Sequence, residues 1–435
     1  MAKEGTLGIS AVLLLLALLA CGRAPQAPNL LLLTLDTTRV DALSCYGGAL
    51  AKTPRLDALA RESLRFTQAV TTAPYTGPSH ASMLTGLLPP QHGLRDFLRV
   101  ALPEQAQTLA ESLSEAGYDT AAFVSAYVLD PRYGLDQGFD VYSSVEPPKR
   151  RGGYSQRPAG ETADQALRWL GERRSGRPFF VWIHFYDPHG DYRPPPEYRP
   201  PLDGLPSKPL ERLRRLYYAE ATYMDAVIGR VLDAFEERGL LRDLAILAVS
   251  DHGELLGEHD RVPGTHAPLL VETTLRVPLL LRVPGRVEPG VEDRQVSVVD
   301  VFPTILELAG LPPPEGIAGL SLLHPADGQR PAYSETLYEH FPRLAEPGKE
   351  LASVRIDGWK LVSGPDREEL YDLNADPREE RNVAAAHPER LAQLRAALDA
   401  LRVGWPRDAW PRELDLSEEE KTEHFEQLRG LGYVE

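Results

Sequence analysis

The chain has 435 residues, of which 43% are hydrophobic and 25% charged, with a formal net charge of −16. This is the composition of a globular protein, and the length suits two or three domains or one large α/β domain with an appendage. The acidic balance argues against nucleic acid as a partner, and an anionic substrate needs a metal or a cationic pocket to overcome that field.

The N-terminus reads MAKEGTLGISAVLLLLALLACG. Lys3 precedes an apolar run from Ala11 to Ala20 that is too short, and too closely followed by polar residues, to be a good membrane span. The sequence Leu18-Leu19-Ala20-Cys21-Gly22 resembles a bacterial lipoprotein signal. That resemblance implies cleavage before Cys21, lipidation of its thiol, and an exported body held to a membrane surface in the periplasm or outside the cell. Residues 1–21 are read as signal and 22–28 as tether. Cys45, the other of two cysteines, is left as a lone thiol.

Asn29 to Leu35 (NLLLLTL) is an apolar run of buried-strand length, ending at Asp36. Thr53-Pro54 predicts a helix start, with Thr53 as N-cap and Pro54 at the first position. Thr108 and Glu111 form a capping-box pattern, and the helix they open ends near Gly117. YDTAAFV and PFFVWIH read as further strands, the second running into HFYDPHGDY. A helical pattern extends from about Leu210 to Glu237. LAILAVS follows as a strand ending at Asp251, and VPLLLRV is another.

Strands alternating with helices, with polar residues at the strand ends, predict an α/β fold. The sheet is expected to be doubly wound and mostly parallel, with its ligands beyond the carboxyl ends of the strands. Segments 146–158 and 193–209 read as loops near the site. After about residue 326, VRIDGWKLV and EELYDL predict antiparallel strands, then a helix over 388–402. The division is a catalytic domain over 29–325, a smaller C-terminal α+β subdomain over 326–403, and an acidic tail over 404–435.

Three strand ends carry candidate ligands: Asp36, Asp187 with His189, and Asp251 with His252. His266 follows in a loop. Each residue alone has a plain reading as a helix cap or a core histidine. Together, carboxylates at three buried strand ends repel one another unless a cation is present. The Asp and His mixture suits zinc or manganese ahead of calcium. In TTAPYTGPSHASMLTG, Thr76 stands at the start of a short helix, where unpaired N–H groups and the dipole would stabilise an alkoxide. Taken alone, it reads better as an N-cap.

LDTTRVDALSCYG, TGPSHASMLTG, HFYDPHGDY, SDHGELLGEH and ETTLRVPLL, in this order, resemble the sulfatase family of the alkaline phosphatase superfamily. DGWKLV and ELYDLNADPREERN resemble that family's C-terminal subdomain. The resemblance implies an alkaline phosphatase-like fold and a metal-dependent ester hydrolase. It places Asp36, Asp251 and His252 as metal ligands and Thr76 as nucleophile and ligand. His189 becomes a contact to the substrate's anionic group. His266 stands where family members carry a lysine or, in a two-zinc branch, a metal-binding histidine. Asp187, His189 and His266 are the candidate second metal set, so one or two ions are expected. His80 lies one turn from Thr76 and is expected near the leaving group, while Glu254 and His259 are expected to orient ligands.

The family carries Cys or Ser in Cys/Ser-x-Pro-x-Arg and oxidises it to formylglycine. Here Thr76-Gly77-Pro78-Ser79-His80 stands instead, and threonine oxidised at its carbinol carbon gives a ketone. Thr37 replaces the second Asp of an Asp-Asp pair, and AFVSAYVL lacks the Lys and His of a Gly-Lys-Trp-His segment. A sulfated threonine has no aldehyde to collapse to, whereas a phosphorylated one can be hydrolysed in line. The expectation is therefore a Thr76-dependent hydrolase of phosphate mono- or diesters or phosphonate esters. The alternatives are a sulfatase working without formylglycine, a phosphoethanolamine-type transferase, and a non-catalytic binder of anionic glycans.

Overall fold

The structure is a computed structural model. It describes residues 27–96, 99–145, 156–201, 208–260, 263–266, 269–325, 330–337, 350–403, 405 and 412–430. The signal-like segment with Cys21, most of the 146–158 loop and the 326 boundary lie outside the described residues.

The larger domain begins with β1 (Asn29–Leu35), β2 (Leu64–Val70), β3 (Val100–Ala101), β4 (Asp119–Phe123) and β5 (Val141–Ser143). It continues with β6 (Phe179–Phe185), β7 (Leu244–Val249), β8 (Arg276–Arg282) and β9 (Gly290–Ser297). Eight of these make one sheet in the order β5-β4-β6-β1-β7-β8-β2-β9. Within it β8 runs antiparallel to both of its neighbours, and every other pairing is parallel. β1 sits at the centre, between β6 and β7, and is buried along nearly its whole length. A central strand has no solvated face, which is why it reads as continuous leucine.

Two apolar layers cover the sheet. Leu30, Leu32, Trp182 and Leu247 face one layer, and Leu31, Leu33, Ile183 and Ile246 face the other. This is the period-two alternation that a strand imposes. The long helix Pro209–Glu237 lies on the second face with Met224, Ile228 and Val231 buried.

The C-terminal subdomain is an antiparallel sheet of β10 (Ala332–Thr336), β11 (Leu351–Ile356), β12 (Trp359–Gly364) and β13 (Arg367–Asp372). The helix Pro388–Arg402 packs Leu394 and Leu398 against it. The tail does more than the sequence reading expected. Arg412–Glu413 (β14) pairs with β3, and the helix Glu418–Gly430 buries His424, Gln427 and Leu428. Leu428 belongs to the main catalytic core.

The capping box at Thr108 forms as expected, with Glu111 N–H donating to Thr108 Oγ1 (3.1 Å) and Thr108 N–H to Glu111 Oε2 (2.7 Å). The cap at Thr53 does not. Thr53 Oγ1 accepts the Ser44 N–H instead. The helix Pro54–Arg61 is capped by Asp225, which accepts from Leu56 N (2.7 Å) and Arg55 N (3.1 Å). A residue distant in sequence thus supplies what the local pattern assigned to threonine.

Candidate active site

β1 ends one residue before Asp36, whose N–H donates to the Phe185 carbonyl at the end of β6. β7 delivers Ser250, Asp251 and His252 from the other side, all fully buried. Thr76 is the first residue of the helix Thr76–Thr85, and Tyr75 occupies the N-cap position. Thr76 is therefore not the cap, and its hydroxyl is available to the site. Oγ1 lies 3.4 Å from Asp36 Oδ2 and 3.4 Å from His252 Nε2.

Each ligand candidate has one atom tied down and one left over. Asp251 Oδ1 accepts the N–H groups of His252 (2.8 Å) and Thr37 (3.2 Å), and its Oδ2 is buried without a partner. Asp36 Oδ2 accepts from His184 Nε2 at 3.0 Å, and its Oδ1 is likewise unpartnered. His252 Nδ1 lies 3.0 Å from the Gly253 carbonyl and donates to it. Its Nε2 is thus a lone pair, 3.4 Å from Asp251 Oδ2 and 4.0 Å from Asp36 Oδ1. Buried polar atoms are normally satisfied. Here two orphaned carboxylate oxygens and an imidazole lone pair converge, with all three ligand atoms within 4.8 Å of one another. This donor set fits a divalent cation.

The electrostatics agree. Asp36, Asp251 and Glu254 are fully buried. Burial first, then repulsion from Asp251 and Glu254, holds the Asp36 carboxyl well above its usual range. Burial also raises Asp251. Burial pushes His252 well below the ordinary imidazole value, with His266 adding to the effect. Removing water disfavours every charge in the cluster, and a cation offsets the carboxylates that remain.

His189 and His266 join this group. The His266 ring lies 4.4 Å from that of His252 and 5.2 Å from that of His189. His266 Nδ1 is 3.3 Å from Glu254 Oε1, so Glu254 holds that side of the ring. His189 Nδ1 donates to the Gly190 carbonyl at 2.8 Å, and its ring stacks on Tyr186 at 4.2 Å. Each histidine thus has its Nδ1 engaged within the protein.

Two expectations need correction. Asp187 does not join the histidines, because its Oδ2 accepts the Ala159 N–H at 2.8 Å, at the first residue of the helix Ala159–Glu172. It caps that helix, and among the described residues no cluster of three candidate ligand atoms includes it. His80 is fully buried, donates Nδ1–H to the Thr76 carbonyl at 2.8 Å and packs against Trp182 and His184. It supports the Thr76–Thr85 helix from the core side instead of reaching a leaving group. His259 is exposed on the Glu258–Asp260 turn. Thr37, standing where an aspartate was expected, adopts φ 49° and donates its hydroxyl to the Pro188 carbonyl at 2.9 Å.

A model of the sulfatase family, described as "Sulfatase", matches residues 28–311. The chain belongs to the sulfatase family. As a sulfatase-family member it is a hydrolase enzyme. A second model, "N-sulphoglucosamine sulphohydrolase, C-terminal", matches residues 266–403 and includes the antiparallel subdomain. An arylsulfatase of Clostridium perfringens is 25% identical over 457 residues, covering 85% of this chain and 93% of that protein. A ulvan-active sulfatase of Formosa agariphila is 29% identical over 426 residues, covering 86% and 80%. In fold, the chain matches the phosphonate monoester hydrolase of Agrobacterium radiobacter with a TM-score of 0.74 at 23% identity, covering 88% of this chain and 97% of that one. Among the described residues, no helix of this sulfatase-family chain is long and apolar enough to cross a membrane.

Proposed function

We propose that the protein is a metal-dependent esterase in which unmodified Thr76 is the nucleophile, acting on phosphate mono- or diesters or phosphonate esters. The observation that carries this reading is the Thr76 hydroxyl, 3.4 Å from both Asp36 and His252 at the start of a helix. Asp36, Asp251, His252 and Thr76 would hold the cation, zinc or manganese by donor type. When bound, it would neutralise the carboxylates and lower the pKa of the threonine hydroxyl.

The chain's own groups account for the remaining steps. Thr76 Oγ1 forms the bond to phosphorus as the ester oxygen departs in line, and the threonine proton, passed by way of Asp36 Oδ2, leaves on that oxygen as its hydroxyl. The N-terminal N–H groups of the Thr76–Thr85 helix face the developing charge. His189 and His266 hold the non-bridging oxygens or, in a two-ion site, a second cation. Water then displaces Thr76 from phosphorus, which regenerates the hydroxyl.

Direct sulfate-ester hydrolysis is the second reading, and the sulfatase names of the relatives favour it. The two separate on one experiment. Intact mass spectrometry of acid-quenched turnovers with an aryl phosphate should show one phosphoryl group on the peptide carrying Thr76, and an unoxidised threonine before turnover. An oxidised Thr76, or no trapped phosphoryl group while phosphorus esters are being hydrolysed, contradicts the proposal. Lipidation at Cys21 and display on a membrane surface complete it. Blocking lipoprotein processing should leave a larger precursor in cells.

A further inference from the structure

His184 lies inside the apolar β6 run and is fully buried. The hydrogen bonds around its ring fix its tautomer. Ser125 N–H donates to His184 Nδ1 at 3.2 Å, so that nitrogen carries the lone pair. The proton is therefore on Nε2, which sits 3.0 Å from Asp36 Oδ2. Ser125 is held in turn: its hydroxyl donates to the His184 carbonyl at 2.7 Å and lies 2.6 Å from Thr162 Oγ1. Arg157 Nε donates to the same Thr162 oxygen at 3.1 Å. A rigid buried chain thus ends in an N–H aimed at one oxygen of Asp36.

We infer that His184 is the positioning residue for Asp36: its Nε2–H fixes Oδ2 and so turns Oδ1 toward the cation site. The inference rests on the metal reading above. It also excludes a different assignment. His80, His184 and Asp251 stand close enough together to ligate an ion, but His184 Nε2 carries a proton and its Nδ1 lone pair is taken by the Ser125 N–H. Groups that orient a ligand in this way commonly matter ten- to a hundredfold in metal affinity.

The test compares His184→Asn with His184→Gln. Asn keeps an acceptor where Nδ1 stood and loses the donor to Asp36, whereas Gln keeps a donor where Nε2 stood. Zinc affinity is read by competition with a chromophoric chelator, beside the melting temperature of each metal-free protein. The expected result is a loss of zinc affinity of about ten- to a hundredfold for Asn and its recovery in Gln, with similar metal-free melting. Equal affinity in all three proteins, or equal loss in both variants, overturns the inference while leaving the proposed function standing. A wild-type protein that takes up neither zinc nor manganese overturns both. NMR of nitrogen-labelled histidine in the wild-type protein gives a reading that needs no variant. It should find the His184 proton on Nε2, and a proton on Nδ1 overturns the inference.

Discussion

The Nε2 atom of His252 stands 3.4 Å from the Thr76 hydroxyl while its Nδ1 stays on the Gly253 carbonyl at 3.0 Å. One nitrogen is committed to the backbone, so the other keeps its lone pair for the site. Replacing His252 by Ala should remove a ligand without disturbing the β7 strand before it. Bound zinc, measured on the purified variant, should fall below one per chain, and turnover should fall with it. Full metal content in this variant would mean the cation sits elsewhere.

Removing the metal should also destabilise the fold. Asp36 and Asp251 are fully buried, and without a cation two of their oxygens have no partner. A ligand that binds only the folded state raises the melting temperature by mass action. A chelator should therefore lower the melting temperature, and added zinc or manganese should restore it. Differential scanning fluorimetry reads both steps.

Asp187 and His266 should part company under mutation. Asp187→Ala removes a helix cap and should cost about 1 kcal/mol of stability with metal content unchanged. His266→Ala leaves the buried Glu254 Oε1 without this partner, so it should also cost stability, and it should reduce either metal stoichiometry or kcat/KM. Unchanged metal content and unchanged rate in His266→Ala would remove it from the site.

Asp225, which caps the helix Pro54–Arg61, gives a pH signature of its own. Burial pushes its carboxyl up to about 6, against the backbone hydrogen bonds from Leu56 and Arg55, which lower it. The folded state therefore holds this proton to higher pH than the unfolded chain does. Stability from this group is greatest below the unfolded value, falls as pH rises from about 4 to about 6, and is level above that. Relative to Asp225→Asn, the wild type should lose up to roughly 3 kcal/mol across that window. Urea unfolding of both proteins at a series of pH values checks the difference, and parallel curves would contradict the assignment.

The tail should contribute to the catalytic domain's stability. Leu428 is fully buried in the main core, and Tyr127 Oη lies 3.2 Å from His424 Nδ1. Leu428→Ala should cost about 2–5 kcal/mol, read from the urea midpoint.

The legible parts of this protein were those with a local signal. β1, β6 and β7 stand out as apolar runs, and the polar residues just beyond them marked Asp36, Asp251 and His252. The Thr108–Glu111 box is a contact between near neighbours, and the sequence states it directly. What could not be read depends on where a side chain turns after folding. Asp187 and His189 share the spacing of a ligand pair, but spacing does not record that the carboxylate meets the N-terminus of the Ala159–Glu172 helix. His184 lay hidden in an apolar strand, where a histidine passes for core. Its one available signal was its place two residues after Trp182, on the same side of the strand. The docking of the Glu418–Gly430 helix was obscured by its acidic surface, since only His424, Gln427 and Leu428 turn inward.

The most direct measurement is a comparison of aryl phosphate monoester, diester, phosphonate ester and sulfate ester as substrates. It uses purified protein loaded with zinc and separately with manganese, beside Thr76→Ala. The account predicts that the phosphorus esters turn over best and that Thr76→Ala lowers their rate by several orders of magnitude. Turnover of the sulfate ester alone, or phosphorus-ester hydrolysis that survives Thr76→Ala, would contradict it.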